Sequence, residues 1–541
     1  MKKWIERNLL SCVVVLTLGL ACGTQAADEQ NVTRAVLDNG LRVVIVRDPL
    51  APVITTVINY IVGSDETPPG FPGMAHAQEH MMFRGSPGLT AGQLANISAA
   101  IGGDFDADTQ QMLTQYFFTA PAEDLDIALH VEAVRMKGIS STDELWGKER
   151  GAIEQEVAQD LSNPEYVFYT NLLAQVFKGT PYAWDALGSR PSFDKTTGKM
   201  LGDFHNTWYV PNNAILVICG DVDPAVAIAK VKELFGGIPS VNLPARPEFH
   251  FQPVNPQTLK VDTDSPTGMA VIAFRLPGTD SPDYAAVQVM SDVLGSMRGR
   301  LYSLVPEGKA LSASFSYDTL PVAGVGYAIA GFPKGADAAD LLSQMRQTLS
   351  LDSDNGISDD LVEAAKRREV ASLEFEKNSV SGLAMSWSQA LAGEGRQSPE
   401  DDVDAIRKVT TADVNRVAKE FLDTNHAIAA ILSPRPSGKP ISSQGFGGKE
   451  SFASGEAKAV ELPEWAKRAV ERLDLPNSTL NPVVTVLSNG LKIIVQPESV
   501  SDSVSIYGRI KSNPNVETPK GQDGVDDMLG RLFPFATKTL G

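Results

Sequence analysis

The pentapeptide His76-Ala77-Gln78-Glu79-His80 has the residue types and the spacing of metal-assisted hydrolysis. On a helix, residues four apart share one face, so His76 and His80 can present both imidazoles to a single divalent ion. Glu79 stands beside His80, near enough to reach a water on that ion without binding the metal itself. Six histidines in 541 residues would produce H-x-x-E-H by chance on the order of 0.01 times or less, so the pattern is specific. The competing reading is two surface histidines with a carboxylate nearby. Hydrolytic zinc takes three protein ligands and keeps one position open. Candidates for the third lie in Glu149-Arg150-Gly151-Ala152-Ile153-Glu154-Gln155-Glu156. Glu149 and Glu156 are two turns apart and share a face, whereas Glu154 points elsewhere. Taken alone, such an acidic stretch is as readily a solvated surface.

Elements that position these residues are legible around them. Ser141 with Glu144 forms a capping-box pattern, which predicts a helix that Asn163-Pro164 stops. Ser358 is a candidate cap for a helix over 361–373. Two nested repeats organise the chain. Val36-Leu37-Asp38-Asn39-Gly40-Leu41-Arg42-Val43-Val44 is echoed by Val486-Leu487-Ser488-Asn489-Gly490-Leu491-Lys492-Ile493-Ile494. Each reads as strand, Asn-Gly turn and strand. The echo continues through Glu66-Thr67-Pro68 and Glu517-Thr518-Pro519, then Gly73 and Gly524. A fainter one links Asn212-Asn213-Ala214-Ile215 to Asn425-His426-Ala427-Ile428, each expected to follow a helix and open an apolar strand.

These echoes predict an α+β fold of tandem units, each a sheet with packed helices. The first unit spans 30–242 and carries the metal motif; the second spans 250–437. A linker over 438–479, opening in a Pro- and Gly-rich stretch, has the composition of an exposed connector. A third unit begins near 480 and holds only 62 residues to Gly541, too few to bury a stable core alone. It reads as the truncated start of a second half.

Composition limits the function classes. Lys+Arg 47 against Asp+Glu 66 gives a net charge of −19, which repels phosphate backbones and argues against a nucleic-acid partner. Lys2, Lys3 and Arg7 precede an apolar run over 9–22, too short to span a bilayer, and Thr24-Gln25-Ala26 supplies a cleavage site. Residues 1–26 are thus expected to be a removed export signal. A lipid-modified Cys22 is the alternative, although Gly19-Leu20-Ala21 leads into it poorly. No later run is long and apolar enough to cross a membrane. Cys219 reads as a buried structural thiol. His130, His205, His250 and His426 are scattered and read as structural or surface residues, and Trp208 and Tyr209 read as core anchors. Gly295-Ser296-Met297-Arg298-Gly299-Arg300 lacks the setting of a phosphate loop.

The segment Gly73-Met74-Ala75-His76-Ala77-Gln78-Glu79-His80-Met81-Met82-Phe83-Arg84-Gly85 resembles the active-site helix of the M16 inverted-zincin metallopeptidases, the pitrilysin, insulysin and mitochondrial-processing-peptidase group. That family's third ligand is a glutamate about 75 residues past the second histidine, with another glutamate seven residues before it; Glu156 and Glu149 stand at those places. The resemblance implies one Zn2+ per chain, held by His76, His80 and Glu156, with Glu149 behind them and Glu79 as general base. It implies a zinc metalloendopeptidase for short or unfolded polypeptides; with the export signal over 1–26, a bacterial periplasm is the expected location. Leu113-Thr114-Gln115-Tyr116-Phe117-Phe118-Thr119, after Gly102-Gly103-Asp104-Phe105-Asp106-Ala107-Asp108-Thr109, reads as a strand by alternation. It resembles the edge strand on which the family binds extended peptides, with Asp106 where the family usually has Asn. An ordinary half-buried strand is the alternative. The other copies are degenerate: Asp527, Gly530 and Arg531 align with His76, Glu79 and His80, and the second unit's matching helix, about 284–304, has no histidine. The competing function is a non-catalytic scaffold, or a subunit that acts only beside a second M16 half or partner chain.

Overall fold

The computed structural model describes residues 31–49, 51–246, 248–435, 460–471, 481–497, 504–511, 518–522 and 524–532. The export-signal and Cys22 readings lie outside these residues, as does the Pro- and Gly-rich stretch beyond Arg435.

The first sheet is built from β1 (Val32–Val36), β2 (Arg42–Arg47), β3 (Val53–Tyr60), β6 (Asp104–Thr109), β7 (Thr114–Pro121) and β8 (Ala214–Gly220), with a separate small hairpin, β4 (Gly85–Ser86) and β5 (Leu89–Thr90), between β3 and β6. Its strand order is β1-β2-β8-β3-β7-β6. The second comprises β9 (Gln257–Thr263), β10 (Thr267–Pro277), β11 (Ser312–Asp318), β12 (Ala323–Pro333) and β13 (Ile428–Pro434), in the order β11-β12-β10-β13-β9. Reversed, the second order superposes on β2-β8-β3-β7-β6, strand for strand. The directions agree as well: β2 with β8 and β9 with β13 are the parallel pairs, and the remaining neighbours are antiparallel. The faint Asn-Ala-Ile echo therefore marks equivalent strands, β8 and β13.

The first five α-helices are α1 (Met74–Met81), α2 (Ala91–Ala100), α3 (Leu125–Lys137), α4 (Asp143–Leu161) and α5 (Pro164–Val176). Side chains alternate across a strand, so each sheet has two faces to cover. On the first sheet, Ile54, Ile58, Tyr60, Tyr116 and Phe118 pack with Ala77, Met81 and the α3 residues Ile127 and Val131 in the main core. The opposite face, with Val44, Val57, Ile215 and Val217, is covered by Val380, Leu383, Ala384 and Trp387 of the helix Val380–Ser388. The second sheet mirrors this exchange: Phe168, Leu172, Leu173 and Val176 of α5 pack on Val271, Ala273, Ile428 and Ala430. Each sheet is roofed by a helix from the other half, which holds the two halves together through buried apolar area. Ser388 Oγ adds buried hydrogen bonds to Asn59 (2.6 Å) and Gln115 (3.2 Å).

The hairpin β14 (Val483–Val486) and β15 (Lys492–Val495) repeats β1–β2 in detail. Gly40 and Gly490 sit at φ +89° and +88°, where only glycine is unstrained. In each turn the Asn side-chain oxygen accepts the amide two residues on, at 3.3 Å for Asn39–Leu41 and 3.1 Å for Asn489–Leu491. Residues 501–541 are a second unit, whose helix Val525–Leu532 starts just after Gly524 at φ +88°.

Several expectations need correction. α4 is capped by the Thr142 side chain, which accepts from Leu145 N–H, one residue beyond Ser141; Glu144 instead pairs with Lys148 at 2.7 Å. Asn163 does cap the next helix, with Pro164 at its first turn. Ser358 stands at the N-cap position of Asp359–Glu376, but its hydroxyl contacts Asp360. The sheet edge is the acidic β6; the alternating segment after it is β7, paired on both sides. Asp at alternate positions disfavours a strand by propensity, so pairing to β7 overrides composition here. Part of the expected connector is a docked helix, Glu464–Glu471: Ala466 is fully buried in the first core, and Trp465 stacks on His130 at 4.8 Å. Arg468 pairs with Asp126 at 3.0 Å. Cys219, by contrast, is buried as expected, and burial pushes its thiol pKa up. His205 is buried and hydrogen-bonded to the Arg135 carbonyl at 2.9 Å, a structural role.

Candidate metal centre

α1 delivers the motif into the main core. Gly73 precedes it at φ +86° and packs against Gly188, also at φ +86°. A Cβ on Gly188 would lie 2.4 Å from the Gly73 Cα, so the loop around Gly188 closes onto the helix only without side chains there. That closure brings the Leu187 carbonyl to 3.1 Å from His76 Nδ1. Gly188→Ala is expected to cost more than about 1 kcal/mol, from positive φ and overlap. Thermal unfolding together with zinc affinity measures this, and no change in either would contradict the account.

The two histidines and the far glutamate converge. His76 Nε2 and His80 Nε2 are 3.1 Å apart. Glu156 Oε1 lies 3.5 Å from His76 Nε2, and its Oε2 lies 3.4 Å from His80 Nε2. Zinc bonds of about 2.0–2.2 Å at tetrahedral angles set donor atoms roughly 3.3–3.6 Å apart, so all three separations match within a few tenths of an ångström. Among the described residues these three form the one group able to hold a metal.

Hydrogen bonding on the far side of each ring decides which nitrogen faces inward. The Leu187 carbonyl only accepts, so His76 Nδ1 carries the proton. Glu149 Oε1 lies 2.8 Å from His80 Nδ1, and an ionised carboxylate only accepts. In its neutral form each ring then turns an Nε2 lone pair toward the other ring and toward Glu156. Lone pairs 3.1 Å apart beside a carboxylate are unfavourable without a cation, and they are the donor set a divalent ion requires.

Glu149 is the pivot behind the site. Its other oxygen meets Arg84 Nε, three residues past the end of α1. Burial alone would raise its pKa, but hydrogen bonds from His80 and Arg84 outweigh that and hold it below its ordinary value of 4.5. It therefore stays ionised through neutral pH, and the support it gives His80 is lost only as pH falls through that depressed value. Removing such an outer partner typically costs 10–100-fold in metal affinity. Glu149→Gln is expected to weaken zinc binding by about that factor in chelator competition; unchanged affinity would contradict it.

Glu79 is 1% exposed, and its Oε2 accepts a hydrogen bond from the Thr109 hydroxyl at the end of β6. Glu156, by contrast, is 32% exposed on its side chain, so the site opens on that side. Glu154 turns away to Arg150 (3.6 Å) and Arg190 (3.4 Å). The helix Tyr284–Gly295 follows β10 as α1 follows β3, without histidine. Sequence reasoning missed Arg84, Thr109 and the Leu187 carbonyl. Arg84 lies four residues past His80, a helical spacing that was available as a signal; the other two contacts come from distant loops and strands and leave none.

Residues 42–189 match the family described as Insulinase (Peptidase family M16), and residues 195–369 match the Peptidase M16 inactive domain. The chain is 25% identical over 449 residues to a Helicobacter pylori protein named Zinc protease PqqE, covering 80% of this chain and 100% of that one. It is 27% identical over 421 residues to an uncharacterized zinc protease of Mycobacterium tuberculosis, covering 76% and 95%. Among solved structures, a protease from Helicobacter pylori aligns with TM-score 0.69 at 25% identity, over 74% of this chain and 99% of that one. The first half of the periplasmic protease PqqL from Escherichia coli aligns with TM-score 0.65 at 16% identity, over 75% and 92%, a likeness of fold.

Proposed function

Because the chain belongs to peptidase family M16, we propose that it is a zinc metalloendopeptidase that hydrolyses peptide bonds in short or unfolded polypeptides. The observation that carries this reading is the convergence of two imidazole Nε2 atoms and a carboxylate, with a buried glutamate next to them in sequence. Zinc, when bound by His76, His80 and Glu156, supplies Lewis acidity that makes water nucleophilic near neutral pH and polarises a peptide carbonyl. The chain's own groups do the rest. Glu79 takes a proton from the attacking water and passes it to the leaving amine nitrogen. Glu149, tied to Arg84, keeps His80 in the tautomer that binds. Among the described residues β6 has β7 as its one sheet neighbour, so its outer edge is where an extended peptide would add as a further strand.

A quenched-fluorescence peptide assay tests the proposal. Cleavage that a chelator abolishes and zinc restores is the expected result; cleavage indifferent to chelator would overturn it.

A second reading, a chain that acts with a second M16 half or a partner subunit, has its own support. β14 and β15 copy β1 and β2, yet Val486 is 64% and Ile494 60% exposed. In the first sheet, β2 instead pairs with β8 from Arg42↔Ile215 to Arg47↔Gly220. The hairpin is read here as the opening of a second, degenerate M16 half. Co-purification of a motif-free chain of M16 type would favour this reading, and full activity of the monomer would remove it. Export to a bacterial periplasm is proposed from the basic and apolar start of the sequence. Among the described residues no helix is long and apolar enough to cross a membrane. N-terminal sequencing of the mature protein should begin at Ala27; an intact Met1 would contradict export by cleavage.

A further inference from the structure

β6 does more than border the sheet. Its alternate residues Phe105, Ala107 and Thr109 face α1, opposite Phe118, Tyr116 and Thr114 of β7. At one end Phe105 stacks on Phe83, just past α1, with ring centroids 5.6 Å apart. At the other end the Thr109 hydroxyl donates to Glu79 Oε2. The strand is fastened to the active-site helix at both ends, and β7 is its one sheet neighbour among the described residues. A glutamate has three rotatable side-chain bonds, so a fixed donor on one oxygen restricts where the other points.

We infer that Thr109 is a positioning residue that couples docking of an extended peptide on β6 to the orientation of Glu79. This rests on the peptidase reading above. A peptide pairing along the outer edge of β6 restricts the backbone that carries Thr109, and the hydroxyl transmits that restriction to the carboxylate. Binding energy from substrate residues remote from the scissile bond is then expressed in kcat as well as in KM. Long peptides that pair along all of β6 should turn over faster than short ones, through this one hydroxyl.

The test uses the zinc-loaded full chain and two fluorogenic peptides, one long enough to pair along β6 and one too short. Thr109→Val and Thr109→Ala both remove the donor, the first nearly isosteric and the second leaving a small cavity, and Thr109→Ser restores it. In the wild type, kcat is expected to be higher for the long peptide. In the Val and Ala variants, kcat for the long peptide falls roughly ten- to a hundredfold, the scale of a misplaced catalytic group, and the advantage over the short peptide disappears. Zinc content, affinity for an uncleavable long peptide and thermal unfolding stay at wild-type values, and Thr109→Ser recovers the advantage. Retention of the length advantage in whichever donor-less variant folds would overturn the inference, as would a loss confined to KM or to zinc content. A wild type that cleaves neither peptide would overturn the peptidase reading itself, a result distinct from either.

Discussion

Glu79→Gln is expected to lose peptide cleavage while keeping its metal. The substitution preserves shape, and Thr109 can still donate to the amide oxygen at the place of Oε2. What disappears is the ability to take a proton from water and return it to the leaving nitrogen. General acid–base catalysis by a positioned side chain contributes about 10²–10⁴-fold, which is the expected fall in kcat/KM. Zinc content should stay at one per chain, because the three converging donors are His76, His80 and Glu156. Kinetics and atomic absorption on the same preparation check both halves of the expectation. Full activity in the variant would remove Glu79 from the mechanism; lost zinc would make it a ligand.

His80→Ala should fail differently, losing metal and activity together. The ring does two things at once: Nε2 faces His76 and Glu156, and Nδ1 is held by Glu149. Its removal leaves two converging donors where hydrolytic zinc takes three. The loss of affinity should therefore exceed the roughly 10–100-fold that an outer partner costs, and cleavage should drop to background at micromolar zinc. Glu149 keeps its pairing to Arg84, so the fold is expected to survive, and thermal unfolding of the metal-free proteins separates stability from ligation. Unchanged zinc content would contradict the assignment of His80 as a ligand.

Much of this site was legible because it is local or periodic. The H-x-x-E-H spacing needs only a helix to bring two imidazoles together, and α1 provides one. Glu149 and Glu156 share a face of α4 for the same geometric reason. The Asn-Gly turns announced β1–β2 and β14–β15, since positive φ at Gly40 and Gly490 is a demand that sequence shows directly. What stayed hidden was decided by tertiary contact. β6 alternates Asp with Phe, Ala and Thr, a composition poor for a strand, and is one because β7 pairs with it from Asp104↔Thr119 to Thr109↔Thr114. The helix Glu464–Glu471 lies in what reads as a connector, and it is recognised only by the groove that takes Trp465 and Ala466. The exchange of covering helices, α5 over one sheet and Val380–Ser388 over the other, has no local signature at all. Thr109 is 30 residues from Glu79, and nothing between them signals the contact.

The central claim is that two neutral imidazoles and one carboxylate cage a single divalent cation. Anomalous diffraction at the zinc absorption edge tests it most directly. The account predicts one peak per chain, within bonding distance of His76 Nε2, His80 Nε2 and an oxygen of Glu156, with Glu149 still bonded to His80 Nδ1. A zinc-soaked crystal with no peak there, or with Glu156 turned away from the two rings, would contradict it.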